Sequence, residues 1–211
     1  GQATSLKHRT VEILETVVGL IEKGDPNLKG HSLHVLNLTM LFYDYLPFSY
    51  QIQINESDLR LAALFLDLGK LGIPREILTK TGKLSDEEYS LIKHHPEFGA
   101  KILHSIGSFD KITDWILYHH ERFDGSGYYH LKGEEIPLVS RMIALTDTYS
   151  ALIMDRSYKA SMTYEDAIAE LHMVADTQLD GNMVNIFCEI PKSKIQECLN
   201  DVKQKMEVFK I

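Results

Sequence analysis

Eight histidines and aspartates along the chain have side chains that can bind a transition metal: His31, His34, Asp67, His94, His95, His119, His120 and Asp147. Imidazole combined with carboxylate suits iron, manganese, zinc or nickel better than calcium. A carboxylate can also bridge two metals, and two-metal sites serve the hydrolysis of phosphate esters. The residue types therefore favour a metal-dependent phosphohydrolase, although their spacing alone does not settle it.

Asp67 is the most informative of these residues, because it stands in the apolar run "LFLDLGKLGIP". A buried carboxylate is costly unless it is paired with a cation or holds a metal. For Asp67 the alternative to a metal is a salt bridge to Lys70, and for Asp147 it is a bond to Arg141. A single histidine is more often hydrogen-bonded or solvated than metal-bound, and His8, His104, His130 and His172 are assigned to that class.

The elements that must position these side chains are predicted to be helices. Apolar residues recur at helical spacing, with no alternating strand pattern of useful length. Asn55 or Ser57, Ser85 with Glu88, Thr163 and Ser193 are candidate helix caps. Helices are expected over residues 11–21, 31–45, 59–68, 85–94, 96–104, 109–120, 138–154 and 164–175, followed by a terminal helix. The fold class is all-α, and Asp67 and Asp147 are expected inside helices.

Composition narrows the class of protein. The chain has 211 residues, a net charge of −8 and two cysteines that lie in sequence only ten positions apart, at 188 and 198. An acidic chain disfavours binding of nucleic acid polymers, and the cysteine usage suits a reducing cytoplasm. No apolar run is long enough to span a membrane. The start "GQATSLKH" resembles a cut edge, so we expect one domain of a longer protein.

Four long segments resemble the HD-GYP domain, the cyclic di-GMP phosphodiesterase branch of the HD superfamily. They are "GHSLHV", "LDLGKLGIPREILTKTGKLSDEEYSLIKHHPEFGAKIL", "YHHERFDGSGYYHLKGEEIPLVSRMIALTDTYSAL" and "DRSYK". The resemblance covers nearly the whole chain. It implies a single helical HD-type domain with a short N-terminal helical extension: an N-terminal helix over 1–26, a metal-site core over 27–160 and C-terminal helices over 161–211.

The resemblance also implies a set of metal ligands, one position at a time: His31, Asp67, His95, His119, His120 and Asp147. Asp67 would bridge two metals, and His94 would lie outside their ligand shells. One metal would be held by Asp67, His95, His119 and His120. The other would be held by His31, Asp67, Asp147 and the histidine that the family places before this aspartate.

That last histidine is absent, because Leu66 occupies its position. Two further departures are Tyr129, where the GYP motif has proline, and His34, where the family usually has arginine. A third metal would need a glutamate at the position of Asn27, so none is expected. The cofactor implied is a divalent transition metal, iron or manganese, with one or two ions.

The resemblance assigns the remaining site residues as well. Asp67 and Lys70 would be catalytic, with Lys70 facing the phosphate as a point charge. Substrate contacts are expected from Lys70, Tyr128, Arg141, Arg156 and Lys159. Lys70 and Tyr128 would lie on the same side as the metals.

Three functions follow. The first is a metal-dependent cyclic di-GMP phosphodiesterase in bacterial signalling, weakened by the lost ligand. The second is a catalytically degenerate module that binds a cyclic dinucleotide or docks a partner, and the third is an HD-type hydrolase of another phosphoester. An upstream sensor or receiver domain is expected, and the sequence leaves open whether the chain forms a homodimer.

Overall fold

The computed structural model describes residues 13, 15, 16, 18, 19, 22, 29–106, 110–154 and 160–208. Within them the chain is helical apart from turns and one isolated bridge between Ala175 and Leu179, which confirms the all-α prediction. The helices are α1 (His31–Tyr45), α2 (Phe48–Gln51), α3 (Glu56–Phe65), α4 (Arg75–Leu78), α5 (Asp86–Lys93), α6 (His95–Ile106), α7 (Asp110–Leu117), α8 (Leu138–Ile153), α9 (Tyr164–Met173), α10 (Gly181–Cys188) and α11 (Lys192–Val208). Short 3₁₀ turns cover Leu68–Gly72 and Gly133–Glu135.

Helix α1 lies at the centre of the fold and packs against α3, α8 and α11. It has no pronounced polar face, because residues on several sides of it are buried, including Leu33, Val35 and Leu38. A helix that is apolar on all sides is expected at the centre of a bundle. The polar residues buried in α1, among them His31 and His34, therefore need partners on neighbouring helices.

Local capping signals account for several helix starts. Asn55 accepts a hydrogen bond from the backbone of Asp58, Thr163 accepts one from Asp166, and Ser85 forms the expected capping box with Glu88. These predictions are confirmed. The prediction for Ser193 is wrong, since α11 already begins at Lys192, directly after Pro191. The predicted helix over 11–21 lies largely outside the described residues.

The turn that carries Asp67 departs from the expected helix over 59–68. Helix α3 ends at Phe65, and Asp67 (φ −102°) leads into the 3₁₀ turn Leu68–Gly72. The placement of Asp67 inside a helix was therefore wrong. This turn packs closely on α6: a Cβ atom at Gly69 would lie 1.7 Å from the carbonyl oxygen of His95. Glycine at position 69 thus lets Asp67 approach the start of α6.

Asp147, in contrast, lies within α8 as expected. In the parts of the chain that the structure describes, no helix combines the length and apolar character needed to cross a membrane.

Candidate metal centre

Among the residues that the structure describes, two groups of three side chains bring potential ligand atoms within 4.8 Å of one another. One consists of His95, His119 and His120, and the other of His31, Asp67 and Asp147. The first group comes from the start of α6 and the turn after α7, and the second from α1, the 3₁₀ turn and α8. All six candidate ligands that the resemblance implied are thus in the two groups.

Asp67 belongs to the second group but also faces the first. Its Oδ1 atom is 3.4 Å from Nε2 of His95, and its Oδ2 atom is 3.7 Å from Nε2 of His31. Oδ2 is buried and has no hydrogen-bond partner within the described part of the chain. Oδ1 is also 2.8 Å from Nζ of Lys70, so the salt bridge that was the alternative to a metal is present as well.

The histidines of the first group are oriented by backbone carbonyls. Nδ1 of His95 donates to the carbonyl oxygen of Ile92 at 2.7 Å, and Nδ1 of His119 donates to that of Ile116 at 2.5 Å. In the neutral form of each ring, Nε2 therefore carries a lone pair rather than a proton. Such a contact fixes the tautomer and ring orientation of a histidine that binds a metal.

The lone pairs on these buried nitrogens test whether the residues fit a cation. Nε2 of His119 is buried without a hydrogen-bond partner in the described residues, and Nε2 of His95 lies 3.2 Å from Nε2 of His120. Two or three imidazole nitrogens that converge beside a carboxylate match the ligand preference of divalent iron, manganese or zinc. The arrangement fits a metal.

The second group is held by buried hydrogen bonds. Nε2 of His31 lies 2.8 Å from Oδ1 of Asp147, while its Nδ1 lies 3.0 Å from the hydroxyl of Ser150. Asp147 thus pairs with His31 rather than with Arg141. This group offers three protein ligands, two carboxylates and one imidazole. The first group together with Asp67 offers four.

The electrostatics favour the protonation states that bind metals. Burial raises the pKa of Asp67, but Lys70, His95 and His31 outweigh it and hold the pKa below its usual range. Burial likewise raises the pKa of Asp147, but the hydrogen bond from His31 and the electrostatic effects of His31 and His120 together outweigh it and hold the pKa below its usual range. Burial lowers the pKa of His95 to about 4. The same effect, reinforced by His119 and His95, lowers the pKa of His120. Asp67 and Asp147 are therefore charged and His95 and His120 neutral at pH 7, as metal binding requires.

Leu66 adds no ligand to the second group. Its side chain is completely buried and belongs to the hydrophobic core. His94, which was expected to lie outside the ligand shells, is exposed, and its Nδ1 lies 3.2 Å from the carboxylate of Glu97. Asn27, on which the expected absence of a third metal depends, lies outside the described residues.

Tyr128 lies beside the first group, with its ring centre 5.6 Å from that of His120. Nζ of Lys93 lies 4.9 Å from the centre of the Tyr128 ring, so a second cation is close to this edge of the site. Burial raises the pKa of Tyr128 to about 12, which keeps its hydroxyl protonated. The residue is half-buried and can donate a hydrogen bond.

Arg141 is engaged elsewhere. Its guanidinium lies 2.6 Å from the carboxylate of Asp180 and donates to the carbonyl oxygen of Ile136 at 3.0 Å. The structure therefore does not bring Arg141 to the two groups of candidate ligands. Arg141 instead links α8 to the start of α10. Arg156 and Lys159 lie outside the described residues.

Three supporting residues were missed by the sequence reasoning. Glu121 accepts hydrogen bonds from the backbone of Tyr129 (2.7 Å) and Leu131 (2.8 Å), and so anchors the loop after the paired histidines. Ser150 orients His31, and the carboxylate of Glu22 accepts from the backbone of Ser32. Glu121 directly follows His120, which was the one local signal available.

Comparison with known proteins finds a matching family model and relatives that are named as cyclic dinucleotide phosphodiesterases. Residues 47–183 match the family model described as "HD domain". The chain is 33% identical over 175 residues to "3'3'-cGAMP-specific phosphodiesterase 3" of Vibrio cholerae, covering 81% of this chain and 37% of that protein. It is 41% identical over 141 residues to the "Cyclic di-GMP phosphodiesterase response regulator RpfG" of Xanthomonas campestris, covering 64% and 37%. The chain thus spans little more than a third of either relative.

Among solved structures, the fold resembles Bd1817, described as a HDG"Y"P protein from Bdellovibrio bacteriovorus. The TM-score is 0.64 at 18% identity, covering 87% of this chain and 63% of the other.

Proposed function

The chain belongs to the HD domain family, and from that membership we propose that it is a metal-dependent phosphodiesterase that hydrolyses a cyclic dinucleotide, with cyclic di-GMP as the substrate. The observation that carries the proposal is the position of Asp67, whose two carboxylate oxygens face His95 and His31. One carboxylate shared by two groups of ligands is the arrangement that two-metal phosphoesterases use. The name of the Xanthomonas relative supports cyclic di-GMP as the substrate, while the name of the Vibrio relative, a 3'3'-cGAMP phosphodiesterase, supports a cyclic dinucleotide.

The proposed ligands are His95, His119, His120 and Asp67 for one divalent ion and His31, Asp67 and Asp147 for a more weakly held second ion, with iron or manganese as the metal. A bound divalent ion supplies Lewis-acid polarisation of the phosphoryl group and activation of water. The side chains that would hold such an ion lie beside the ammonium group of Lys70 and the phenol of Tyr128.

Lys70 is proposed to stabilise negative charge that develops on the phosphoryl oxygens. Its ammonium group is already fixed by Asp67 at 2.8 Å, so little reorganisation is needed when substrate binds. Tyr128 is proposed to donate a hydrogen bond to the substrate from the edge of His120. Arg156 and Lys159 are kept as proposed substrate contacts because of the family resemblance.

Leu66 supports a second candidate, a binding module that holds the cyclic dinucleotide without turnover. Leu66 directly precedes Asp67 in the sequence, and leucine cannot bind a metal. Its side chain is buried in the hydrophobic core. Loss of one ligand weakens the binding of the second ion, and with it any hydrolysis that depends on two metals.

One experiment separates the two. The protein is loaded with manganese or iron, incubated with cyclic di-GMP, cyclic di-AMP or 3'3'-cGAMP, and the products are separated chromatographically. We expect linear or mononucleotide products from cyclic di-GMP, and none from the Asp67→Asn variant. Binding of cyclic di-GMP to the metal-loaded protein with no product would favour the module, and neither binding nor product would reject both.

A further inference from the structure

A cavity of about 390 Å³ lies behind the second group of ligands, between α1, α8 and α11. Its inner end is formed by buried side chains, among them His34 and Tyr149, and its outer rim by the exposed Asn200 and Lys203. None of the candidate metal ligands lines it. Its size lies within the range of small-molecule sites, about 300–1,000 Å³.

His34 gives the inner end of this cavity a polar group without a partner. Its side chain is completely buried, and its Nδ1 lies 2.8 Å from the hydroxyl of Ser150. Its Nε2 has no hydrogen-bond partner in the described part of the chain. A buried nitrogen that is left unpaired is unfavourable, so a ligand that pairs with it gains affinity.

The walls and rim define the shape and charge of such a ligand. Met162, Leu199 and the rings of Tyr149 and Tyr164 supply apolar walls, while the polar side chains of Gln196 and Asn200 and the ammonium group of Lys203 line the rest of the cavity. A flat apolar body fits between such walls, and an acidic group at the open end would pair with the lysine.

We propose that this cavity is a binding site for a small planar aromatic acid, which presents its polar tip to Nε2 of His34 and its acidic group to Lys203.

The hydrogen bonds around Ser150 determine whether the ligand group that faces Nε2 of His34 must donate or accept a hydrogen bond. A carboxylate can only accept, so Nε2–H of His31 donates to Asp147 at 2.8 Å. In its neutral form His31 then has a lone pair on Nδ1, which accepts from the hydroxyl of Ser150 at 3.0 Å, because the sulfur of Met154 at 3.4 Å is the weaker acceptor. The oxygen of Ser150 in turn accepts from Nδ1–H of His34. Nε2 of His34 consequently carries a lone pair and selects a ligand with an N–H or O–H tip.

The same three residues connect the cavity to the candidate metal centre. A metal on Nε2 of His31 would move the ring proton to Nδ1, which would then donate to Ser150. The Ser150 hydroxyl would donate to His34 in place of accepting from it. Nε2 of His34 would then carry the proton and no longer select a donor tip. Ligand and metal would weaken each other by the same factor, because such coupling is reciprocal.

The test uses two probes of equal shape, 4-aminobenzoate with a donor tip and 4-methylbenzoate without one. Binding to the full chain is measured by calorimetry after treatment with a chelator. We expect 4-aminobenzoate to bind about tenfold more tightly, as one added hydrogen bond allows. Manganese should reduce this preference to about threefold or less. The readout is binding, so it does not depend on turnover.

Variants locate the binding to the cavity. Leu199→Trp, at a partly exposed position, should fill the cavity and remove binding of both probes. Lys203→Gln should weaken both, while Lys205→Gln, exposed on the same helix, should change neither. His34→Phe should abolish the preference between the probes. Absence of binding at millimolar concentration, or binding that survives Leu199→Trp, would reject the site. A preference that manganese leaves unchanged would reject the connection through Ser150.

Discussion

Nζ of Lys70 lies 2.8 Å from Oδ1 of Asp67, the same oxygen that lies 3.4 Å from Nε2 of His95. The lysine thus holds a positive charge at the edge of the candidate metal centre rather than in solvent. Both interpretations of Asp67 that the sequence left open, the salt bridge and the metal ligand, are compatible with this geometry. Oδ1 accepts from Lys70 and also faces His95, while Oδ2 faces His31 and has no hydrogen-bond partner in the described residues.

Replacing Lys70 should separate catalysis from metal binding. Lys70→Met removes the proposed stabilising charge, and loss of one such group commonly costs about 100- to 1,000-fold in turnover. Manganese affinity should not weaken, because a cation near the ligands is removed. Turnover of cyclic di-GMP and manganese binding are measured together, with Lys101→Met, an exposed lysine on α6, as the control. Turnover within twofold of the unmodified protein would contradict the proposed role.

Leu66→His should make stability depend more strongly on metal. An imidazole buried in the core without a partner lowers stability by about 2 kcal/mol or more, so the chelated variant should melt below the unmodified protein. Manganese should then raise its melting temperature more than that of the unmodified protein, since a fourth ligand joins the second group. Leu66→Phe, a ring without a lone pair, is the control. Equal stabilisation of both proteins by manganese would argue against a site that is one ligand short.

Glu22 should make the stability of the chelated protein depend on pH. Burial raises its pKa from 4.5 to about 7, although hydrogen bonds from Ser32 oppose the shift. The folded state therefore binds more protons than the unfolded state between these values, and the free energy of unfolding falls as pH rises from 4.5 through 7. The loss is on the order of 3 kcal/mol.

Denaturant unfolding of Glu22→Gln at several pH values checks this. His95 and His120 have lowered pKa values and contribute the opposite slope, with stability lost as pH falls below 6.5. That contribution is present in both proteins and cancels in the difference. The difference curve should slope only between about pH 4.5 and 7, and a flat curve would show that Glu22 is not the titrating group.

Glu121 should hold the loop that carries Tyr128 in place. Its carboxylate accepts from two backbone N–H groups of that loop and is nearly inaccessible to solvent. Glu121→Gln leaves one of these N–H groups facing an NH₂ group, which should cost about 1–3 kcal/mol of stability and raise KM for cyclic di-GMP. Glu134→Gln, exposed in the following turn, is the control. An unchanged unfolding midpoint and KM would refute the anchoring role.

The parts of the structure that local sequence determines were predictable. The caps at Asn55, Ser85 and Thr163 follow from side chains that lie next to the backbone groups they satisfy. The end of α3 at Phe65 was not predictable in this way. It depends on the close approach of Gly69 to His95, a contact between residues far apart in sequence.

In the candidate site, too, the features that depend on contacts between distant residues could not be predicted from local sequence. The six candidate ligands came from the family resemblance, since spacing alone could not join residues as distant as His31 and Asp147. The pairing of Arg141 with Asp180 and the contacts of Ser150 with two histidines depend on how α8 packs against α1 and α10. No pattern within a single helix indicates them.

Manganese binding to the unmodified protein, Asp67→Asn and Asp147→Asn, measured by calorimetry, tests the position of Asp67 between two metals most directly. We predict two classes of site in the unmodified protein, one tight and one weak. Asp67→Asn should weaken both classes, because its two oxygens face different groups, whereas Asp147→Asn should weaken only the weaker class. A folded Asp67→Asn variant that binds manganese with both affinities unchanged would contradict the account.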